Sequence, residues 1–494
     1  MTEYITFNTD DVVLKDGNLE VVRNSIDDSL SGEDAIVSVC VRIWRDSRLE
    51  KLKHCIDSVL KYERDVKFKL VLMNNGGSQA ITDYFESIDY EDKVIIKITQ
   101  NISAPHGGGI FQRFVKTKYM VELLNDNIVT PHWLSNMLHC LESDPKIGVA
   151  CPMCTNCTSI QEPPFKDKSI AEMLSIAEQF NISDPSKWEE LMCCIPQGAV
   201  YRRAVFDAVG IYDKGYIHEG ADNDLSLRIR RGGYKQILCK DTFIIHDHNY
   251  DIELVTPLKA QHGRNGFYEK FHNIDSWYDI YNSVNPWLKS GKFKMQKAFR
   301  ILGIECRTGN PILEVKNKVH AIGNEDIICD AFTTEAKYYE DLLSVCDNVC
   351  CDSNENRVNT VFKGQYDFIV IGKELNNFDR PFDILDFALT HACGGQVLIK
   401  IKNMLDIGVL ISCLGGKHPI RLSGMRYIEL NEVVDFINGY KVKNIDIMRE
   451  EVRSLKGITS RILAENGVEQ LLAENSDSVK RKLETFMYWI LISN

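Results

Sequence analysis

The 494-residue chain is too long for one ordinary hydrophobic core, so two or more domains are expected. Its 44% hydrophobic and 26% charged content is that of a soluble globular protein. Its net charge of −12 argues against a general nucleic-acid binder. No apolar run reaches the roughly 18 residues needed to span a bilayer. The polar, acidic opening MTEYITFNTDD is unlike a secretory signal. Sixteen cysteines in a long chain of this kind point to reduced thiols and a cytoplasmic location. The spacing of Cys151, Cys154 and Cys157 suits either a zinc site or, the reading favoured here, small apolar side chains on a strand and loop.

Residues 1–34 are acidic and weakly patterned, an extension or edge structure. AIVSVCVRIW then reads as a buried strand, and LEKLKHCIDSVLKY as an amphipathic helix. KFKLVLMNNGG is a second strand, ITDYFESI a short helix, KVIIKIT a third strand, and FQRFVKTKYMVELLNDNIV a helix running into another strand. This alternation predicts a mostly parallel α/β sheet over 35–285, with a polar helical insert near 158–190 and a lid or helix near 250–285. A second α/β unit over 295–444 follows, with strands at AFRILGIE, GQYDFIVIGK and GGQVLIKIKN. The tail 445–494 reads as charged and helical, with FMYWILISN as the buried end of a helix and the C-terminal helices as a self-association surface.

Ligands of such sheets sit beyond the carboxyl ends of the strands. Trp44–Arg45–Asp46, Asn74–Asn75–Gly76 and Asn125–Asp126–Asn127 all fall there, so three polar turns are expected to converge on one crevice. Asp126 offers a hard carboxylate suited to magnesium or manganese. His246 and His248, at another strand end, are placed to complete a metal shell. Glu219, Asp222 and Asp224 form an acidic cluster before a helix. Asp224 suits a helix cap, whereas Asp222 is positioned to face the crevice as a base.

These segments, in this order, resemble the family 2 glycosyltransferases of the GT-A fold. The resemblance covers about 35–285 and rests on VSVCVRIWRDSRLEKLKHCIDSVL, LVLMNNGGS, NDNIVTPHWLSNMLHCLESDPKIGVACP and QGAVYRRAVFDAVGIYD with GADNDLSLRIRRGGY. It implies that Ile43, Trp44 and Asp46 flank the nucleotide base and that Asn74 stands where the family has a uracil-pairing aspartate. It implies further that Asp126 and His246 hold a divalent metal and that Asn125 belongs to the metal motif. Gln197 and Gly198 would contact the donor sugar, and Asp222 would act as base with Glu219 as its fallback. The implied activity is inverting transfer from a UDP-sugar, UDP-GlcNAc in its narrowest form, to a glycan or to protein Ser or Thr such as flagellin. A catalytically inactive nucleotide-sugar scaffold is the competing reading.

ILGIECRTGNP resembles the first motif of class I methyltransferases, and YDFIVIGKELNNFDRPFDILDFALTHACGGQVLIKI the later strands of that Rossmann-like fold. Glu305 and Arg307 stand where that family has glycine, while Gly309 survives. Side chains there would block the close approach that glycine permits. The resemblance therefore implies a methyltransferase-like domain without S-adenosylmethionine, a bifunctional transferase–methyltransferase being the alternative.

Overall fold

The computed structural model describes residues 3–7, 35–63, 66–157, 159–247, 257–392, 394–414, 425–451, 459, 461 and 476–494. The chain divides into two units, Met1–Tyr281 and Asn282–Asn494. Each has its own α/β sheet and its own hydrophobic core, the mixed α/β class expected from the sequence.

In the first unit the strands are β1 (Glu3–Phe7), β2 (Val37–Ile43), β3 (Phe68–Asn75), β4 (Lys93–Ile98), β5 (Tyr119–Leu124), β6 (Asn127–Ile128), β7 (Ile147–Cys154), β8 (Trp188–Leu191), β9 (Val200–Arg202) and β10 (Lys235–His246). They run in the order β1-β4-β3-β2-β5-β9-β7-β10-β6, with β8 paired to β10. β2 is parallel to both β3 and β5. β9 is antiparallel to β5 and to β7, and β10 is parallel to β7. The carboxyl ends of β2, β3, β5 and β10 therefore face one edge of the sheet.

Helix α1 (Leu49–Tyr62) forms as its apolar spacing predicts, burying Leu52, Cys55, Ile56 and Val59. Helix α2 (Ala104–Phe114) begins well before the expected FQRF segment and contains Gly107, Gly108 and Gly109. Glycine is a poor helix former, which is why the sequence pattern hides this start. A Cβ on Gly108 would lie 2.9 Å from Glu122 Oε2 and 3.0 Å from the Tyr212 ring, so the missing side chain lets the helix pack close to β5. Helices α3 (Ala221–Arg231) and α4 (Pro257–Lys270) complete the part of the unit relevant to the site.

The second unit contains β11 (Phe299–Ile304), β12 (Ile327–Thr333), β13 (Asn348–Cys351), β14 (Phe368–Ile371), β15 (Gln396–Lys402), β16 (Asn444–Glu451) and β17 (Thr485–Ser493). Their order is β13-β12-β11-β14-β15-β17-β16, with β17 antiparallel to both neighbours. This corrects the helical reading of the tail. Ser476–Glu484 is helical, but the segments on either side of the last fifty residues' centre are strands. FMYWILISN runs down the interior of the sheet, where both faces are buried and period-two alternation disappears. NIDIMREE is the sheet's edge strand, so most of its side chains stay polar.

Candidate active site of the first unit

Residue parity on β2 decides what each side chain meets. Val37, Val39, Val41 and Ile43 point into the hydrophobic core with Val121 and Leu123 of β5. Arg42 points to the opposite face. The pairing of Cys40 with Glu122 and of Arg42 with Leu124 puts Glu122 diagonally beside Arg42 on that same face. The two form a buried ion pair. Ile43, implied to flank the nucleotide base, is instead fully buried in the core.

Arg42 and Glu122 border a cavity of about 170 Å³ together with Gln197, Tyr212, His218 and Asp222. Asp222 enters from the first turn of α3. Burial drives its carboxyl up, and the charges of Glu122 and Glu219 add to the effect. Arg42 and a hydrogen bond with Tyr212 pull the other way, and the balance leaves the group ionising at about 7. Burial also raises Glu122, against the pull of Arg42. A buried carboxyl in a cavity, half ionised near neutrality, has the property a general base needs. Gln197 Oε1 is buried without a hydrogen-bond partner, a polar atom free to meet a ligand. Gly198 takes φ +66°, and a Cβ there would strike Ile244 at 2.6 Å.

Glu219 is turned elsewhere, 3.7 Å from Arg264 of α4 and 3.9 Å from the His218 ring. Asp224, expected as a helix cap, lies in the first turn of α3, whose N-cap is Gly220. Asp224 is wholly buried, bonded through Oδ2 to Arg228 Nε (2.8 Å) and Nη2 (2.6 Å), and it also pairs with Lys270.

The second cluster lies around Asp126, which is not in the wall of that cavity. The β10–β6 register sets His246 opposite Asn127 and so beside Asp126. His246 Nε2 lies 3.4 Å from Asp126 Oδ1, while Arg48 Nη1 donates to Asp126 Oδ2 at 2.7 Å. An oxygen and an imidazole nitrogen converging at this spacing suit a manganese- or magnesium-type ion completed by substrate and water. Among the described residues no group of three or more His, Cys, Asp or Glu side chains forms a metal cage. His248 lies outside the described residues. Asn125 Nδ2 is buried without a partner.

The expected nucleotide turns are engaged with one another. Asp46 Oδ1 accepts from Ser78 N at 3.1 Å, tying the β2 turn to the β3 turn. Trp44 lies under the Arg45 guanidinium at 3.9 Å. Asn74 donates to Ser78 O (2.9 Å) and Thr82 Oγ1 (3.0 Å) and accepts from Gly77 N (2.8 Å), so its amide shapes the turn. The clustered cysteines keep to the interior: Cys151, Cys154 and Cys157 are buried free thiols, with Cys151 Sγ 3.0 Å from Cys194 Sγ.

Sequence reasoning missed Arg42, Glu122, Tyr212 and His218. Two of them left a signal. Arg42 and Glu122 are opposite charges, each inside an otherwise apolar strand, and such residues are rarely buried unless paired.

No protein-family model matches the chain, and no curated protein does. Among solved structures, GalNAc-T7 with UDP, GalNAc and Mn2+ is 12% identical, over 44% of this chain and 45% of that one, with a TM-score of 0.36. The mannosyltransferase PcManGT from Pyrobaculum calidifontis, in complex with GDP-Man and Mn2+, is 12% identical over 63% and 73%, with a TM-score of 0.34. A SAM-dependent methyltransferase from Archaeoglobus fulgidus is 17% identical over 47% and 99%, with a TM-score of 0.30. It spans 45% of the length of GalNAc-T7. Among the described residues no helix is long and apolar enough to cross a membrane.

In the second unit the turn after β11 is filled by its own side chains. Glu305 and Arg307 both take φ +53°, a conformation that favours glycine. The Glu305 carboxylate accepts from Thr334 N (2.8 Å) and Thr333 Oγ1 (3.1 Å), closing the gap between the ends of β11 and β12. Burial holds its carboxyl above the usual range.

Proposed function

We propose that the first unit transfers a sugar from a nucleoside-diphosphate sugar to an acceptor hydroxyl, with Asp222 as general base. The carrying observation is a carboxyl that ionises at about 7 inside a cavity also walled by Gln197, Tyr212 and His218. Asp222 takes the acceptor proton as the acceptor oxygen bonds to the anomeric carbon. The bond from that carbon to the diphosphate oxygen breaks, and its electron pair leaves with the diphosphate. Arg42 and Glu122 hold the cavity face and set the charge around Asp222. Asp126 and His246 would hold a divalent ion, whose chemistry is to neutralise the departing diphosphate. The structures with UDP and with GDP-Man make both nucleotides reasonable donors to try.

The second unit, in this reading, has lost S-adenosylmethionine. The Glu305 carboxylate and the φ of Glu305 and Arg307 support that, since the turn carries side chains where a cofactor would need bare backbone.

A thermal-shift screen of UDP- and GDP-sugars, with and without manganese, tests the proposal. A true donor must raise the melting temperature by mass action. Asp222→Asn is expected to keep that shift while losing transfer. If no nucleotide sugar moves the melting temperature, the reading fails.

A further inference from the structure

Asp126 already has a cation. Arg48 stands at the start of α1, and its guanidinium reaches across to donate to Asp126 Oδ2 at 2.7 Å. The pair is nearly closed to solvent, with the Arg48 side chain 13% exposed and that of Asp126 2%. One turn along α1, Lys51 bonds the main-chain oxygen of Asp247 and lies 3.4 Å from its carboxylate. Asp247 N in turn donates to Asp126 O at 2.9 Å. Asp126 and Asp247 are thus held by two basic residues of one helix start.

A divalent ion taking Asp126 Oδ1 and His246 Nε2 would arrive beside this fixed positive charge, where screening by water is weak. The guanidinium fork also matches the paired oxygens of a phosphate as well as it matches a carboxylate. We infer that Arg48 is a resident counter-ion of Asp126, which the donor's diphosphate draws off so that divalent ion and diphosphate bind together. The inference rests on the nucleotide-sugar reading of the first unit. Arg48 adds no covalent step. It acts as a positioning residue that ties ion binding to donor binding, and by linkage each ligand strengthens the other by the same factor.

The test is manganese binding to the full-length chain, read by electron paramagnetic resonance with and without UDP or GDP. Wild-type protein is expected to bind manganese weakly alone and at least tenfold more tightly with a nucleoside diphosphate. Arg48→Gln is expected to bind manganese at least tenfold more tightly than wild type without nucleotide. It should also lose most of the nucleotide enhancement and bind UDP or GDP more weakly in EDTA by calorimetry. Arg48→Lys keeps the charge and is expected to keep most of the coupling, which separates lost coupling from lost folding. Equal manganese affinity for wild type and Arg48→Gln overturns the inference, and leaves the nucleotide-sugar reading standing if UDP or GDP still binds. Tighter manganese binding by Arg48→Gln without any nucleotide binding by wild type supports Arg48 as the counter-ion and sinks the nucleotide-sugar reading instead.

Discussion

Replacing Asp222 with asparagine is expected to make the first unit more stable and catalytically silent together. The carboxyl ionises at about 7 in the folded chain against its ordinary 3.8. Between those values the native state holds a proton that the unfolded chain releases, so the native state binds more protons and stability falls as pH rises. The two values are about three pH units apart, and at about 1.4 kcal/mol per unit the full penalty above pH 7 is on the order of 4 kcal/mol. Asparagine keeps the shape and one acceptor oxygen but carries no charge to desolvate. Asp222→Asn should therefore gain up to about 4 kcal/mol at pH 8, shrinking to about 2 kcal/mol at pH 5, where wild type still holds most of its proton. Hydrogen exchange of peptides from β2, measured across a urea series at both pH values, reads this for the first unit alone. A general base removed in this way should cost about a hundredfold or more in transfer rate. A variant no more stable at pH 8 than at pH 5, relative to wild type, would refute the reasoning, because it would mean that Asp222 is not a buried group forced to ionise.

Glu122→Gln removes a negative charge that raises Asp222, so the rising limb of the pH–rate profile should move down by about one pH unit, with burial keeping the rest. A limb that stays put or moves up would show that Glu122 does not act on Asp222. Gly108→Ala should destabilise the chain by about 1–3 kcal/mol in urea unfolding, because the new Cβ would press on the Glu122 carboxylate and the Tyr212 ring; a neutral effect would mean that the helix can shift. Calorimetry of the full-length chain with S-adenosylmethionine should give no heat, and a measurable affinity would show that the Glu305 turn opens.

Much of the fold was legible because it is written locally. The helix at 49–62 has its apolar residues at helical spacing, and the strands at 37–43, 68–75 and 93–98 are predominantly apolar segments. Others were not, among them these two. The glycine-bearing helix at 104–114 runs against its own propensity, and its Gly108 packs so close to Glu122 of β5 that a Cβ there would lie 2.9 Å from the carboxylate. The strand at 485–493 lies between two others, and a short run buried on both faces carries no period to tell it from a helix.

The site divides in the same way. Polar residues at strand ends and at a helix start are legible in the sequence, and so Asp126, His246 and Asp222 stand out there. Their partners could not be, since a contact between residues 42 and 122, or 48 and 126, depends on which strands adjoin and in what register. Chemical type is a property of the residue and travels with the sequence. Ionisation near neutrality, and the choice of a guanidinium as the partner of a carboxylate, are properties of the space between residues, and only the folded chain makes that space.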